Sequence, residues 1–260
     1  MKGFLFKLLL LILVVFTNFL NARAQNHLLQ LHAHNDFNKN PPLKRALAYG
    51  IHSIEVDIYF FRNQLVVSHL PVALKKPTLE SLYFEPLWQL YLKDFFSSFG
   101  TLRLMLDLKN ASPELMNHLR LLLGRYIDMV RQPDGPVKVF LSGGALRNLL
   151  IHTDSGIVGL DDDFDIFLNR YKKPDHWSMQ ASISWGKFTD NYLKPVAPDY
   201  RDSLARSVAR FFQDYNIPSR IYGAGNCRKR WDELASWGFT VINVDRYCKA
   251  SSWLRKRNVQ

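Results

Sequence analysis

Ser53-Ile54-Glu55-Val56-Asp57-Ile58-Tyr59 decides how the chain is read. Successive side chains on a strand face opposite ways. Ile54, Val56 and Ile58 therefore share one face, and Glu55 and Asp57 share the other. Working outward, the same kind of apolar run recurs at Leu28–His34, Leu102–Leu108, Val137–Leu141, Gly156–Leu160, Gln180–Trp185, Arg220–Tyr222 and Thr240–Val244, which makes eight strands. Helical patterns fall between them, at Leu43–Tyr49, Leu79–Phe96, Pro113–Val130, Leu146–His152, Arg201–Tyr215 and Arg228–Trp237. Alternation of strand and helix gives an α/β chain with a parallel sheet. Eight such strands predict a single (β/α)8 TIM-type barrel, a fold of about 250 residues. An open doubly wound sheet is the alternative, but the first strand lacks the Gly-rich nucleotide turn. The stretch from His69 to Gly100 is long for one connection and predicts an extra helix over the barrel mouth.

Composition narrows the class. Of the 260 residues 47% are hydrophobic and 22% charged, which excludes a disordered chain, a collagen, a coiled coil and a polytopic membrane protein. Two cysteines are too few for a disulfide scaffold or a Cys-based zinc site. Met1–Lys7 is basic, Leu8–Phe16 is continuously apolar, and Ala22-Arg23-Ala24 supplies small residues at the cleavage positions. Residues 1–24 thus read as a signal peptide and 25–260 as one domain, secreted or periplasmic. An uncleaved anchor would need about 20 apolar residues; extending this run even to Leu20 means accepting Thr17 and Asn18. In an oxidising compartment Cys227 and Cys248 can pair; the other reading is two buried free thiols. The formal charge is +11, and loss of Lys2, Lys7 and Arg23 with the leader brings it to +8. A basic surface attracts nucleic acid, anionic lipid or phosphorylated substrates. Nucleic-acid binding has no support beyond that charge and is not expected. Arg255-Lys256-Arg257 reads as a solvated tail.

In a parallel barrel the active site lies at the C-terminal ends of the strands. The first strand ends in His32-Ala33-His34-Asn35-Asp36, the second carries Glu55 and Asp57, and the third ends in Asp107-Leu108-Lys109. Buried charges are costly unless paired or metal-bound. Three carboxylates, Glu55, Asp57 and Asp107, with the Asn35 amide oxygen form an all-oxygen set for Mg²⁺ or Ca²⁺ rather than zinc. The competing reading is simple pairing with nearby Lys or Arg. Val66-Val67-Ser68-His69 is a short strand-like piece that brings a second imidazole toward the mouth. Two histidines bracketing an acidic metal site suit acid–base work on a phosphodiester.

These residues resemble the superfamily of phosphatidylinositol-specific phospholipase C and glycerophosphodiester phosphodiesterase barrels, in particular the bacterial and fungal branch named for altered inheritance of mitochondria. The likeness is carried by His34-Asn35-Asp36-Phe37, Pro42–Leu47, Gly50 through Asp57, Leu65 through His69, Thr78 through Tyr83 and Pro86-Leu87. The resemblance implies a (β/α)8-type barrel. It implies His34 and His69 as catalytic imidazoles, Asn35, Glu55, Asp57 and Asp107 as metal ligands, and Lys109 as the phosphate-facing cation. Asn35 stands where glycerophosphodiesterases usually carry Arg, which argues against that subgroup. Asp-x-Lys and the spacing from His34 to Glu55 are also similar to the sphingomyelinase D family. Asp161 matches an acid often found at the fifth strand end. Asn243-Val244-Asp245 is similar to a closing Asn-Thr-Asp, with Asp245 structural or lining the mouth. Trp185 reads as a substrate-stacking ring or as a packing aromatic.

The expectation is a metal-dependent phosphoric diester hydrolase or lyase, acting on a phosphodiester small molecule or phospholipid and touching a membrane surface. The alternative is a non-catalytic barrel that binds a phosphorylated envelope ligand. Oligomeric state is not legible.

Overall fold

The computed structural model describes residues 29–71, 76–143, 158–171 and 177–258. The proposed leader and the helix expected at Leu146–His152 lie outside the described residues. Among the described residues there are nine strands: β1 Gln30–Ala33, β2 Ser53–Phe61, β3 Gln64–Val67, β4 Leu102–Leu108, β5 Val137–Ser142, β6 Val158–Asp163, β7 Ser178–Ser184, β8 Ser219–Tyr222 and β9 Val241–Val244. Eight pair in parallel in the order β1-β2-β4-β5-β6-β7-β8-β9, and β9 pairs with β1, closing the barrel. The predicted barrel and all eight strands are there, shifted by a few residues at their ends.

The ninth strand explains the length of β2. Ser53–Ile58 pairs with β4, and the overhang Ile58–Phe61 pairs with antiparallel β3. Arg62 and Asn63 turn the hairpin with φ of 48° and 60°, the two positive values that a two-residue type I′ loop needs. Asn accepts that backbone readily; Arg62 does so under steric cost. This hairpin returns the chain to the strand ends, where Ser68 N–H donates to Asp57 O at 3.0 Å.

The helices are α1 Lys44–Ala48, α2 Glu85–Leu92 (entered through a π-turn at Glu80–Phe84), α3 Phe95–Phe99, α4 Pro113–Arg125, α5 Ile127–Val130, α6 Trp185–Phe188, α7 Pro198–Asp214, α8 Arg228–Trp237 and α9 Tyr247–Asn258. Two predicted helices are each broken. Asp94, at φ 57°, ends the run from Leu79, and Tyr126 divides the one from Pro113. The segment expected to lie over the mouth instead descends the barrel. Tyr83 bonds Asp36 beyond the end of β1, and Phe99 stacks on His52 before the start of β2. The hairpin takes up the extra length. Ser112 caps α4, accepting from Leu115 N–H at 3.2 Å with Pro113 at the first helical position. Arg255-Lys256-Arg257 is exposed as expected, but it forms the last turn of α9 rather than a tail. Tyr247, Ala250 and Trp253 bury that helix against the barrel, and cations suit a helix C-terminus.

The apolar core lies between strands and helices. Ile54, Val56, Ile58, Leu104, Leu106, Val139, Leu141, Ile221, Ile242 and Val244 all belong to it. Their alternates face inward, and most of those are polar: Ser53, Glu55, Asp57, Arg103, Asp107, Asp161, Gln180, Ser182 and Arg220. The barrel interior is therefore a hydrogen-bonded network, and its upper layer is the candidate site.

Candidate active site

His32 lies at the bottom of that network, fully buried. Its Nε2–H donates to Glu55 Oε2 at 3.1 Å and its Nδ1 accepts from Ser53 at 2.7 Å. One donor and one acceptor fit the neutral ring. Burial, then the Arg220 charge, pushes its pKa down to about 4. Arg220 crosses the barrel, bonding Glu55 Oε2 at 2.9 Å, Asp161 Oδ2 at 3.1 Å and Ser182 at 3.0 Å. Burial alone would raise the Glu55 pKa. The His32 hydrogen bond and the Arg220 charge outweigh it and hold the carboxyl well below its usual range.

Above this floor the predicted site residues converge. Oxygens of Glu55, Asp57 and Asp107 lie within 4.8 Å of one another. The pairing of Asp57 with Asp107 across β2 and β4 produces the contact. His34 Nδ1 is 2.9 Å from Asp245 Oδ1, and its Nε2 is 3.9 Å from Glu55 Oε1. A carboxylate only accepts, so Nδ1 carries the proton and Nε2 is free. The Asp245 hydrogen bond raises the His34 pKa, and the same contact lowers that of Asp245. His69, delivered by the hairpin, repeats the arrangement: Nδ1–H donates to Asp57 Oδ2 at 2.5 Å and the ring is 57% exposed. Burial raises the Asp57 pKa against the His69 bond and the Lys109 charge. Lys109 reaches Asp57 Oδ2 at 3.2 Å and Asp107 Oδ2 at 2.5 Å. Burial opposes its charge, but Asp107 and then Asp57 prevail and raise its pKa. Ser142 donates to the other Asp107 oxygen at 2.9 Å. Gly143 follows at φ 107°, and a Cβ there would lie 2.6 Å from Leu108 O, so the turn beside Asp107 requires glycine.

A cation fits these donors. Asp57 Oδ1 and Asn35 Oδ1 are buried without hydrogen-bond partners, which is rare for buried oxygens. Four carboxylates, Glu55, Asp57, Asp107 and Asp161, face three fixed cations among the described residues: Lys109 and Arg220 in direct ion pairs, and Arg103 acting on Asp161 at longer range. The group keeps a net negative charge, which favours a cation. The simple-pairing alternative accounts for Glu55 Oε2 and Asp107, but not for the two orphaned oxygens.

Trp185 stands apart from this cluster. Its ring stacks on Trp237 at 6.3 Å and 5°, with the Arg230 guanidinium 3.8 Å from its centroid. That is the packing alternative. Of the two readings of Cys227 and Cys248, the free thiols hold and the disulfide is not formed, but the thiols are exposed rather than buried. The sequence reading missed Arg220, which a cation inside a barrel strand should have signalled, and left Asp245 without its partner His34.

Residues 22–99 match the AIM6-like phosphodiesterase domain. The chain is 33% identical over 259 residues to the altered inheritance of mitochondria protein 6 homolog of Arthroderma benhamiae, covering 83% of this chain and 80% of that one. The chain belongs to this family. Its domain places it among the phosphoric diester hydrolases. The family member from Eremothecium gossypii is 41% identical over 63 residues, 23% of this chain and 16% of that protein. The barrel is also similar to solved structures. A glycerophosphodiester phosphodiesterase from Parabacteroides distasonis superposes with a TM-score of 0.55 at 15% identity, covering 88% of this chain and 98% of that one. An Oleispira antarctica phosphodiesterase, solved with its product sn-glycerol-3-phosphate, gives 0.53 at 15% identity, over 88% and 97%. At such identities the likeness is one of fold.

Proposed function

We propose that this AIM6-family barrel is a metal-dependent phosphoric diester hydrolase or lyase acting on a phospholipid or glycerophosphodiester through His34 and His69. One observation carries the reading. Two imidazoles flank the carboxylate cluster, each with Nδ1 fixed by a carboxylate and Nε2 left free. Asn35, Glu55, Asp57 and Asp107 would hold Mg²⁺ or Ca²⁺. When bound, the ion supplies a Lewis acid for a non-bridging phosphate oxygen. Lys109 offsets charge on the phosphate as it develops. One ring, neutral, takes the proton of the attacking hydroxyl at Nε2, and the other, entering as the imidazolium with both nitrogens protonated, gives its Nε2 proton to the leaving alkoxide. A neighbouring hydroxyl of the substrate as nucleophile gives a cyclic phosphate; water gives direct hydrolysis.

The test is turnover of lysophospholipids, phosphatidylinositol and glycerophosphodiesters with Mg²⁺, Ca²⁺ or EDTA, beside Glu55→Gln and Asp107→Asn variants checked for folding by circular dichroism. Activity should vanish with EDTA and in both variants. Full activity in EDTA overturns the metal assignment. A folded, metal-binding protein that turns over nothing favours the non-catalytic barrel.

A further inference from the structure

A cavity of about 440 Å³ opens on the flank of the barrel mouth, lined by the loop after β8, the start of α8 and the face of α9. Its walls carry Arg228, Arg246, Lys249 and Lys256 and no acidic residue. Among the described residues only Arg228 of these four has a carboxylate in reach, Asp232 at 3.6 Å on the exposed surface. Two polar atoms of the same lining are also unsatisfied. Trp231 is 3% exposed, yet its indole N–H has no acceptor, and Asn226 Oδ1 is buried without a donor. Trp231 is held in place by Trp253, whose ring lies 5.5 Å away and whose own N–H is satisfied by Asp232. α8 adds its positive end: Cys227, the residue that caps it, makes no side-chain hydrogen bond.

Cations without counter-ions, a free N–H and a helix N-terminus together call for an oxyanion. The free Asn226 oxygen suits a hydroxyl carried by the same ligand. Asn226 also joins the cavity to the site already described, because its Nδ2 donates at 2.6 Å to Asp245, which orients His34. We propose that this cavity binds a small-molecule oxyanion, a phosphate or carboxylate group, and that it holds a second anionic group of the substrate beside His34. The second half rests on the diesterase reading; the first half does not.

The protein reports its own occupancy, since both cysteines of the chain, Cys227 and Cys248, are free, exposed and line this cavity. Neutral iodoacetamide should alkylate both. Inorganic phosphate should slow the labelling severalfold and saturably, where sodium chloride of equal ionic strength, which only screens, should not. Protection should persist in Glu55→Gln, which leaves the cavity intact, and disappear in Arg246→Gln/Lys249→Gln, a surface double variant. Labelling that phosphate does not slow, or protection that the double variant retains, overturns the site. Vesicles containing phosphatidylglycerol that protect where phosphate does not would also overturn it, by assigning the cavity to a lipid surface. For the second half, Arg246→Gln/Lys249→Gln should raise KM severalfold for a diester bearing an additional phosphate monoester. It should leave kcat, and the KM of the same diester without that group, unchanged. Equal effects on both diesters overturn the substrate assignment. If no diester is turned over, the diesterase reading fails while the labelling still decides the cavity.

Discussion

Arg220 and Lys109 are both cations set among carboxylates inside one barrel, a layer apart, and they are held in different ways. Arg220 is 4% exposed, and Glu55, Asp161 and Ser182 each take one of its guanidinium nitrogens. Lys109 has a fifth of its side chain in solvent and divides one ammonium between Asp57 and Asp107. Each of the three Arg220 nitrogens finds an acceptor, although Arg103 Nε in the same buried network has none. Around Lys109 an Asp57 oxygen and two imidazole Nε2 atoms stay free. The lower layer fixes the geometry and the upper layer keeps its valences open for a ligand, although both use the same residue types. The network is thus divided between architecture and chemistry by depth.

The sharpest way to break that division is Arg220→Met, which removes the cation and leaves Glu55 and Asp161 buried without it. Stability should fall by about 3–5 kcal/mol, the usual cost of stripping one partner from a buried pair, measured as a shift in the urea midpoint. An unchanged midpoint would show that the lower layer is not structural. The upper layer should answer differently. His34→Ala and His69→Ala should each lose at least about a hundredfold in kcat while unfolding near the wild-type midpoint, because both rings are substantially exposed. A fully active double variant would sink the acid–base assignment. Lys109→Met belongs between these cases. Its charge is already shared by two carboxylates, so a loss of about tenfold in rate is expected, equivalent to about 1.4 kcal/mol of barrier. Its stability change should be smaller than that of Arg220→Met, since His69 and Ser142 remain on the two acids. A Lys109→Met protein as unstable as Arg220→Met would erase the distinction between the layers.

What the sequence made legible follows the same division. Period-two alternation in Ser53–Tyr59 and Leu102–Leu108 placed both strands and the facing of Glu55, Asp57, Asp107 and Lys109, because strand geometry alone sets those directions. His69 could be placed at the mouth because Val66-Val67 is visibly a strand, although not which way it runs; the Arg62-Asn63 turn settles that. Pairings between distant segments left no local mark. Arg220 and Glu55 are 165 residues apart, and His34 and Asp245 are 211 apart. Breaks inside helices were equally hidden, since neither Asp94 nor Tyr126 is a residue that ordinarily stops a helix. The two cysteines stayed open between pairing and free thiols, because proximity in the fold is not bonding. They line one cavity and remain thiols.

Trp185 supplies the smallest effect and the finest test of where the site ends. It follows β7 directly, in the position from which a side chain could serve the mouth, and its sequence context is compatible with substrate stacking. Its ring is instead parallel to Trp237 and has the Arg230 guanidinium over it, so it is engaged within the protein. An aromatic pair contributes about 0.5–1.5 kcal/mol beyond its buried area, and an exposed cation–π contact about 0.5–1 kcal/mol. Trp185→Phe keeps a ring for both contacts and weakens each. Stability should therefore drop by about 1 kcal/mol or less, seen as a small shift in Tm, with kcat and KM unchanged. A raised KM at unchanged Tm would reverse the conclusion. It would mean that the ring leaves Trp237 to meet the substrate, and that the ligand-binding surface extends past the upper layer of the barrel onto the helices around it.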